Sequence, residues 1–219
     1  MAAFATSSPE LAVSISSAIA GKPQIALGDA LGSNVLNVAL ILALALLVSG
    51  IRTPRDTVKR DFPVALMVPV ITGGLLLDGV LSRIDGLLLS GVFLCWLVAA
   101  IVEARKQRSA AEEVLGVRRG WLAVGLCAAG LAFLGAAGQL IVNGARGIAI
   151  SYGVDEFVIG ATIVALGTSV PELATTVIAK RRGHEEVALG TILGSNIFNG
   201  LFIVPVAAVI FPISAHGRD

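Results

Sequence analysis

The stretch GTSVPELATT, residues 167–176, decides the fold. It puts Glu172 behind Pro171 in the middle of a run that is otherwise apolar enough for a membrane helix. An ionised carboxylate in hydrocarbon is costly and normally faces a cavity and a partner. The same arrangement stands near the start of the chain, where ATSSPELAVS at 5–14 places Glu10 behind Pro9. Residues 6–37 align with 168–199 at a constant offset of 162, without a gap, and fifteen of the thirty-two positions are identical. The identities fall on polar residues and glycines: Thr6/Thr168, Ser7/Ser169, Pro9/Pro171, Glu10/Glu172, Gly28/Gly190, Gly32/Gly194, Ser33/Ser195, Asn34/Asn196 and Asn37/Asn199 among them. Chance matching of apolar sequence does not give that selection.

The rest of the chain supports a membrane setting. Of its 219 residues 56% are hydrophobic and 14% charged, where soluble domains carry about a quarter charged. Mean hydropathy is +0.89. Seven apolar segments run roughly over 1–20, 24–49, 62–80, 84–104, 119–145, 157–180 and 187–211, which predicts an all-α polytopic protein in one membrane domain over 1–219. The repeat cores are 1–49 and 157–211. The one polar connection of any length is 105–118.

Lysine and arginine alternate between the two sides. Four (Lys22, Arg83, Arg146, Arg218) fall on one side and twelve on the other, where Arg52, Lys59, Arg105 and Arg181 are representative. The richer side is predicted to be cytoplasmic, which places loops 50–61, 105–118 and 180–186 there. With seven alternating spans, the first repeat helix and its counterpart are five spans apart and cross in opposite directions. This is an inverted-topology repeat, whose binding site is expected near the midplane where the halves meet.

Within each copy the polar residues cluster. Thr6 and Ser7 lie one turn from Glu10, and Ser33 and Asn37 share a face of the next helix. Thr168, Ser169, Glu172, Ser195 and Asn199 repeat the pattern. Pro9 lacks an N–H and clashes with the carbonyl four residues back, at Ala5, which frees carbonyls in that turn. No intramembrane Lys or Arg is placed to balance Glu10 or Glu172, so the simplest counter-charge is a bound cation. Hard oxygen donors in this number suit calcium, which takes about six to eight. Soft metals would want Cys or His. His184 and His216 fall outside the membrane, and Cys95 and Cys127 are expected to be ordinary small core residues. Asn34 and Asn196 serve equally well as helix braces or ligands. The small-residue patterns at 28–32 and 190–194 predict close helix packing. Asp29 has no acidic counterpart, since Thr191 answers it, and is left outside the site. No nucleophile–base pair and no phosphate loop support an enzyme. Nothing suggests a nucleic-acid partner, and the partners expected are the lipid bilayer and the ions.

At ATSSPEL, LGSNVLN, GTSVPEL and LGSNIFN the chain resembles the two α-repeats of the sodium/calcium exchanger family, within the cation/calcium antiporter superfamily. The resemblance implies a ten-helix antiporter with five-plus-five inverted symmetry and no cofactor, moving calcium and sodium by alternating access. It implies Glu10 and Glu172 as shared ligands, with oxygens of Thr6 and Thr168. It implies Ser7, Ser33, Ser169 and Ser195 at the sodium sites, carbonyls of Ala3 and Ala165, and Asn37 and Asn199 at the centre. Family members commonly carry an acid at one of the last two positions; two amides here remove a charge and leave stoichiometry open. By the same comparison the chain looks short at both ends: Met1 falls opposite Ile163, inside a helix that begins near Phe157, and two closing helices are missing. Calcium/proton exchange, and a non-transporting membrane subunit, remain as alternatives. Compact loops suggest a prokaryotic plasma membrane.

Overall fold

The computed structural model describes residues 2–48, 57–108 and 120–214. The chain begins with α1 (Ala2–Thr6), breaks at Ser7, and resumes as α2 (Ser8–Ile19). The break is where Pro9, in the first turn of α2, removes an N–H and crowds the turn before it. A turn with Gly21 at φ 72° leads to α3 (Pro23–Leu36). This gives way at Asn37 to a π-helical stretch (Asn37–Leu42) and then α4 (Ala43–Val48). Next come α5 (Phe62–Leu75), a two-residue strand β1 (Val80–Leu81), and the long helices α6 (Arg83–Arg108) and α7 (Gly120–Tyr152).

The last third replays the first. Helix α8 (Glu156–Ile159) passes through a π stretch (Gly160–Val164) into α9 (Ala165–Thr168). The chain breaks at Ser169 before Pro171, then forms α10 (Val170–Arg181) and α11 (Glu185–Phe198). A π stretch begins at Asn199 (Asn199–Ile203) and leads into α12 (Val204–Ile210) and β2 (Ile213–Ser214). Helices α2 and α10 are both 12 residues long, and α3 and α11 both 14. Each pair starts 162 residues apart, the offset read from the sequence. The breaks at Ser7 and Ser169 and the π stretches at Asn37 and Asn199 obey it too. π insertions in α-helices concentrate at functional sites.

Five helical stretches are long and apolar enough to cross a membrane: Pro23–Leu47, Lys59–Asp78, Arg83–Val102, Glu156–Arg181 and Val187–Ile210. They correspond to five of the seven expected segments. The other two are the broken pair α1–α2 and α7, whose 33 residues reach about 50 Å. Val187–Ile210 is central, with 78% of its apolar window buried, whereas Lys59–Asp78 is peripheral at 11%. Leu66, Met67 and Val70 of α5 face outward, as do Leu87, Leu88 and Leu94 of α6. Such a surface suits acyl chains, not water. Inside, Phe198 packs edge-to-face on Phe4 at 5.1 Å and on Phe93 at 5.7 Å, and stacks on Phe202 at 5.0 Å. This cluster ties α1 and α6 to the central helix.

The expected glycine packing holds in one copy. A Cβ on Gly28 would collide with the Phe157 carbonyl, and one on Gly32 with the Ala161 carbonyl. Reciprocally, a Cβ on Gly160 would lie 2.6 Å from the Ile25 carbonyl. Helix α3 is therefore pressed backbone-to-backbone on the 157–164 segment, an approach only small residues permit. In the second copy Gly194 meets only the Ala3 Cβ, and Gly190 meets nothing within 4 Å. Cys95 also departs from expectation, since it is exposed on the outer face of α6; the Cys127 side chain is outside the described set. The pairing of β1 with β2, Val80 with Ser214 and Leu81 with Ile213, is a short clasp that apolar periodicity does not announce. Most of loop 105–118 lies outside the described residues.

Gly28→Ala should destabilise the protein, because overpacking costs about 1–3 kcal/mol. Gly190→Ala should be neutral or slightly stabilising, since a helix interior gains from alanine. Thermal unfolding of the two variants in detergent checks this; equal behaviour would refute the close α3 contact.

Candidate cation-binding site

The two proline-broken helices deliver their acids to the middle of the bundle. Glu10 and Glu172 each sit in the first turn of their helix, α2 and α10, and are 1% and 0% exposed. The helix breaks turn the preceding hydroxyls across the repeat boundary. Ser7 of the first repeat donates to Glu172 Oε1 at 2.9 Å. Ser195, on α11, donates to the same oxygen at 3.1 Å. Thr6 Oγ1 lies 3.5 Å from Ser195 Oγ, and its counterpart Thr168 Oγ1 lies 3.3 Å from Ser33 Oγ.

A second set of reciprocal contacts comes from the amides. Asn37 Nδ2 donates to Asn196 Oδ1 at 2.9 Å, and Asn199 Nδ2 donates to Asn34 Oδ1 at 3.0 Å. Asn34 Nδ2 also reaches the Asn196 carbonyl at 3.3 Å. When residue i touches j and the partner of i touches the partner of j, the two halves are related by a two-fold axis. Asn34 and Asn196 thus brace the repeats against each other. Their partners Asn37 and Asn199 keep buried Oδ1 atoms with no hydrogen-bond partner among the described residues.

All twelve residues singled out from the sequence lie on the helices around this cluster. Ser33, Ser195, Asn37 and Asn199 are fully or almost fully buried, as are Thr6, Thr168, Ser7 and Ser169. The carbonyls of Ala3 and Ala165 are already occupied. Each accepts a backbone N–H, from Ser7 and Ser169 at 3.0 Å, and a hydroxyl, from Thr6 at 3.2 Å and Thr168 at 3.3 Å.

The electrostatics are one-sided. Among the described residues neither oxygen of Glu10 has a hydrogen-bond partner, and neither does Glu172 Oε2. The ion pairs there are Lys22 with Glu156, at 2.7 Å, and Arg60 with Asp61, and neither touches these acids. Oxygens left this way in low dielectric need a positive partner. Hard oxygens in this arrangement can hold an alkali or alkaline-earth cation. The structure adds one acid that the repeat logic had set aside. Asp29 is 0% exposed, and its Oδ1 accepts the Thr168 hydroxyl at 2.8 Å. Its spacing of four from Ser33 was a signal in the sequence. A separate cleft of about 850 Å³ opens at one end of the bundle around Lys22, Asp155 and Glu156. Neither Glu10 nor Glu172 lines it.

An inverted pair of broken helices with buried acids, neither of them in the ion pairs seen among the described residues, fits a membrane cation carrier. The comparisons agree. The family described as sodium/calcium exchanger protein matches residues 1–102 and 122–219. The inner membrane protein YrbG of Escherichia coli is 36% identical over 227 residues, which cover 98% of this chain and 70% of that protein. The sodium/calcium exchanger MaX1 of Methanosarcina acetivorans is 30% identical, over 98% of this chain and 73% of its own length. The solved sodium-calcium exchanger NCX_Mj superposes with a TM-score of 0.65 at 28% identity, over 98% of this chain and 70% of that one. The chain belongs to the sodium/calcium exchanger family. It is a membrane antiporter of the cation/calcium class and not an enzyme.

Asn196→Ala removes the acceptor of the Asn37 amide and should cost about 1–3 kcal/mol, the penalty of one orphaned buried group. Asn34→Ala should cost a similar amount through Asn199. Unfolding temperatures in detergent measure both, and a wild-type value for either would refute the brace.

Proposed function

We propose that this chain exchanges calcium for sodium by alternating access, with Glu10 and Glu172 as ligands shared by the two ions. The observation that carries this is the pair of inverted, buried carboxylates whose oxygens lack a cationic side chain. Two negative charges balance one calcium or two sodium ions. Because both ion sets use the same acids, one must leave before the other binds, and this couples their movements. Thr6, Thr168, Ser7, Ser169, Ser33 and Ser195 supply hydroxyl oxygens. Asn37 and Asn199 supply their unpartnered Oδ1 atoms. Ala3 and Ala165 contribute carbonyls once the Thr6 and Thr168 hydroxyls turn away. Sodium is favoured as the coupling ion by the names of MaX1 and NCX_Mj, both sodium/calcium exchangers.

Residues 1–49 and 157–211 act as the two halves of one transport domain in a prokaryotic inner membrane, the location that YrbG's name gives for that protein. Loops 50–61, 105–118 and 180–186 face the cytoplasm by their basic charge. A single cysteine placed at position 110 of a cysteine-free chain should react with an impermeant maleimide only in inverted vesicles. Reaction in right-side-out cells would reverse the orientation.

The decisive test is radioactive calcium uptake into proteoliposomes loaded with sodium and diluted into sodium-free buffer. Glu172→Gln should abolish uptake, a loss of at least about a hundredfold from removing one charged ligand, while the variant stays folded. Wild-type rates in that variant would remove Glu172 from the site. Uptake driven equally by a pH gradient without sodium would replace sodium by protons.

A further inference from the structure

The two-fold relation makes a definite demand. If Glu172 accepts from Ser7 and Ser195, then Glu10 should accept from Ser169 and Ser33. It accepts from neither. Among the described residues both Glu10 oxygens and the Ser169 hydroxyl are buried without a partner. Ser33 has instead turned to Thr168, 3.3 Å away. Thr168 has one hydroxyl hydrogen, which is shared between Asp29 Oδ1 at 2.8 Å and, more weakly, the Ala165 carbonyl at 3.3 Å. Ser33 is therefore the donor to Thr168, and a relay runs from Ser33 through Thr168 to Asp29. The residue that breaks the symmetry is Asp29 itself. Its counterpart Thr191 turns its hydroxyl back on the Val187 carbonyl of its own helix, at 2.8 Å, and leaves Ser195 free for Glu172. Asp29 diverts hydroxyls from Glu10 and brings a third buried carboxylate whose Oδ2 has no partner among the described residues.

We propose that Asp29 is a carboxylate ligand beside the site of Glu10 and Glu172, forming with Ser33 and Thr168 a one-sided subsite for a monovalent cation. The proposal rests on the exchanger reading above. The ligand class follows from the donor set. One carboxylate oxygen and two hydroxyl oxygens suit a sodium-sized ion, whereas calcium demands more oxygens and more charge.

The test is a pair of ion titrations on the purified full chain in detergent. Each is read as the rise in unfolding temperature with NaCl or with CaCl2, with choline chloride holding ionic strength constant. Asp29→Asn keeps the shape and an acceptor for Thr168, and Asp29→Thr copies Thr191. Both should raise the half-saturating sodium concentration about tenfold or more, and that of calcium by less than about threefold, because the lost charge is a direct ligand of one ion only. Ser33→Ala, should the Asp29 variants not fold, is expected to weaken sodium more than calcium. Wild-type sodium response in whichever variants fold overturns the proposal. So does an equal loss for both ions. Glu172→Gln, run alongside, separates the two readings. If it loses its calcium response while Asp29→Asn titrates like wild type, the Asp29 subsite alone is wrong. If the unaltered chain responds to neither ion, the exchanger reading falls and the subsite with it.

Discussion

Burying carboxylates with oxygens left without a partner among the described residues is the constraint from which the rest of this structure follows. A single acid at the centre of a membrane helix costs about 2.5–3.5 kcal/mol on insertion scales. This bundle holds Glu10, Asp29 and Glu172, none more than 1% exposed. The cost is offset only by polar groups aimed at the acids, and a regular helix aims its own polar groups elsewhere. Hence the breaks at Ser7 and Ser169. Each proline opens one turn, and at the first break the Ser7 hydroxyl crosses the repeat boundary to Glu172, while Thr6 and Thr168 keep a contact to the carbonyl three residues back in their own helices. The site needs irregular backbone, and irregular backbone is tolerated at membrane depth only when buried in protein.

That requirement explains the packing around the site. Hydroxyls reach about 3 Å, so the helices bearing them must approach closely. Gly28, Gly32 and Gly160 bring α3 against the 157–164 segment at backbone contact. The amide brace of Asn34, Asn37, Asn196 and Asn199 then fixes the register of the two repeats. Reciprocal contacts of this kind have a dynamic meaning. Two halves of one design, inverted in the membrane, can exchange their roles at modest energetic cost, and in the proposed cycle Glu10 and Glu172 would then face alternate sides.

Much of this was legible in the chain. The 162-residue offset predicted the paired helices, and the structure follows it to the residue at α2 and α10, and at α3 and α11. Glu10, Glu172 and the hydroxyls around them were readable because a repeat marks what both halves need. The same logic hid Asp29, which stands once, and nothing in the repeat says that an unmatched residue points inward. It also made Gly190 look like Gly28, although a Cβ on Gly190 meets nothing within 4 Å among the described residues. The role of Asn34 and Asn196 stayed open because a neighbouring amide can ligate or brace, and only the cross-repeat distances decide. Cys95 went astray because an apolar helix shows no periodic contrast between its protein face and its lipid face.

The brace also bears on where a third charge can stand. Asn37 Nδ2 donates to Asn196 Oδ1, and Asn199 Nδ2 donates to Asn34 Oδ1. An aspartate at 37 or 199 has no hydrogen to give while ionised. It would lose that bond, and the facing Asn196 or Asn34 amide would have to turn its Nδ2 toward the carboxylate to restore one. With Asn34 and Asn196 in place, the amides at 37 and 199 form a matched set. An extra acid fits instead one helical turn before Ser33, where the Thr168 hydroxyl is already placed to donate to it.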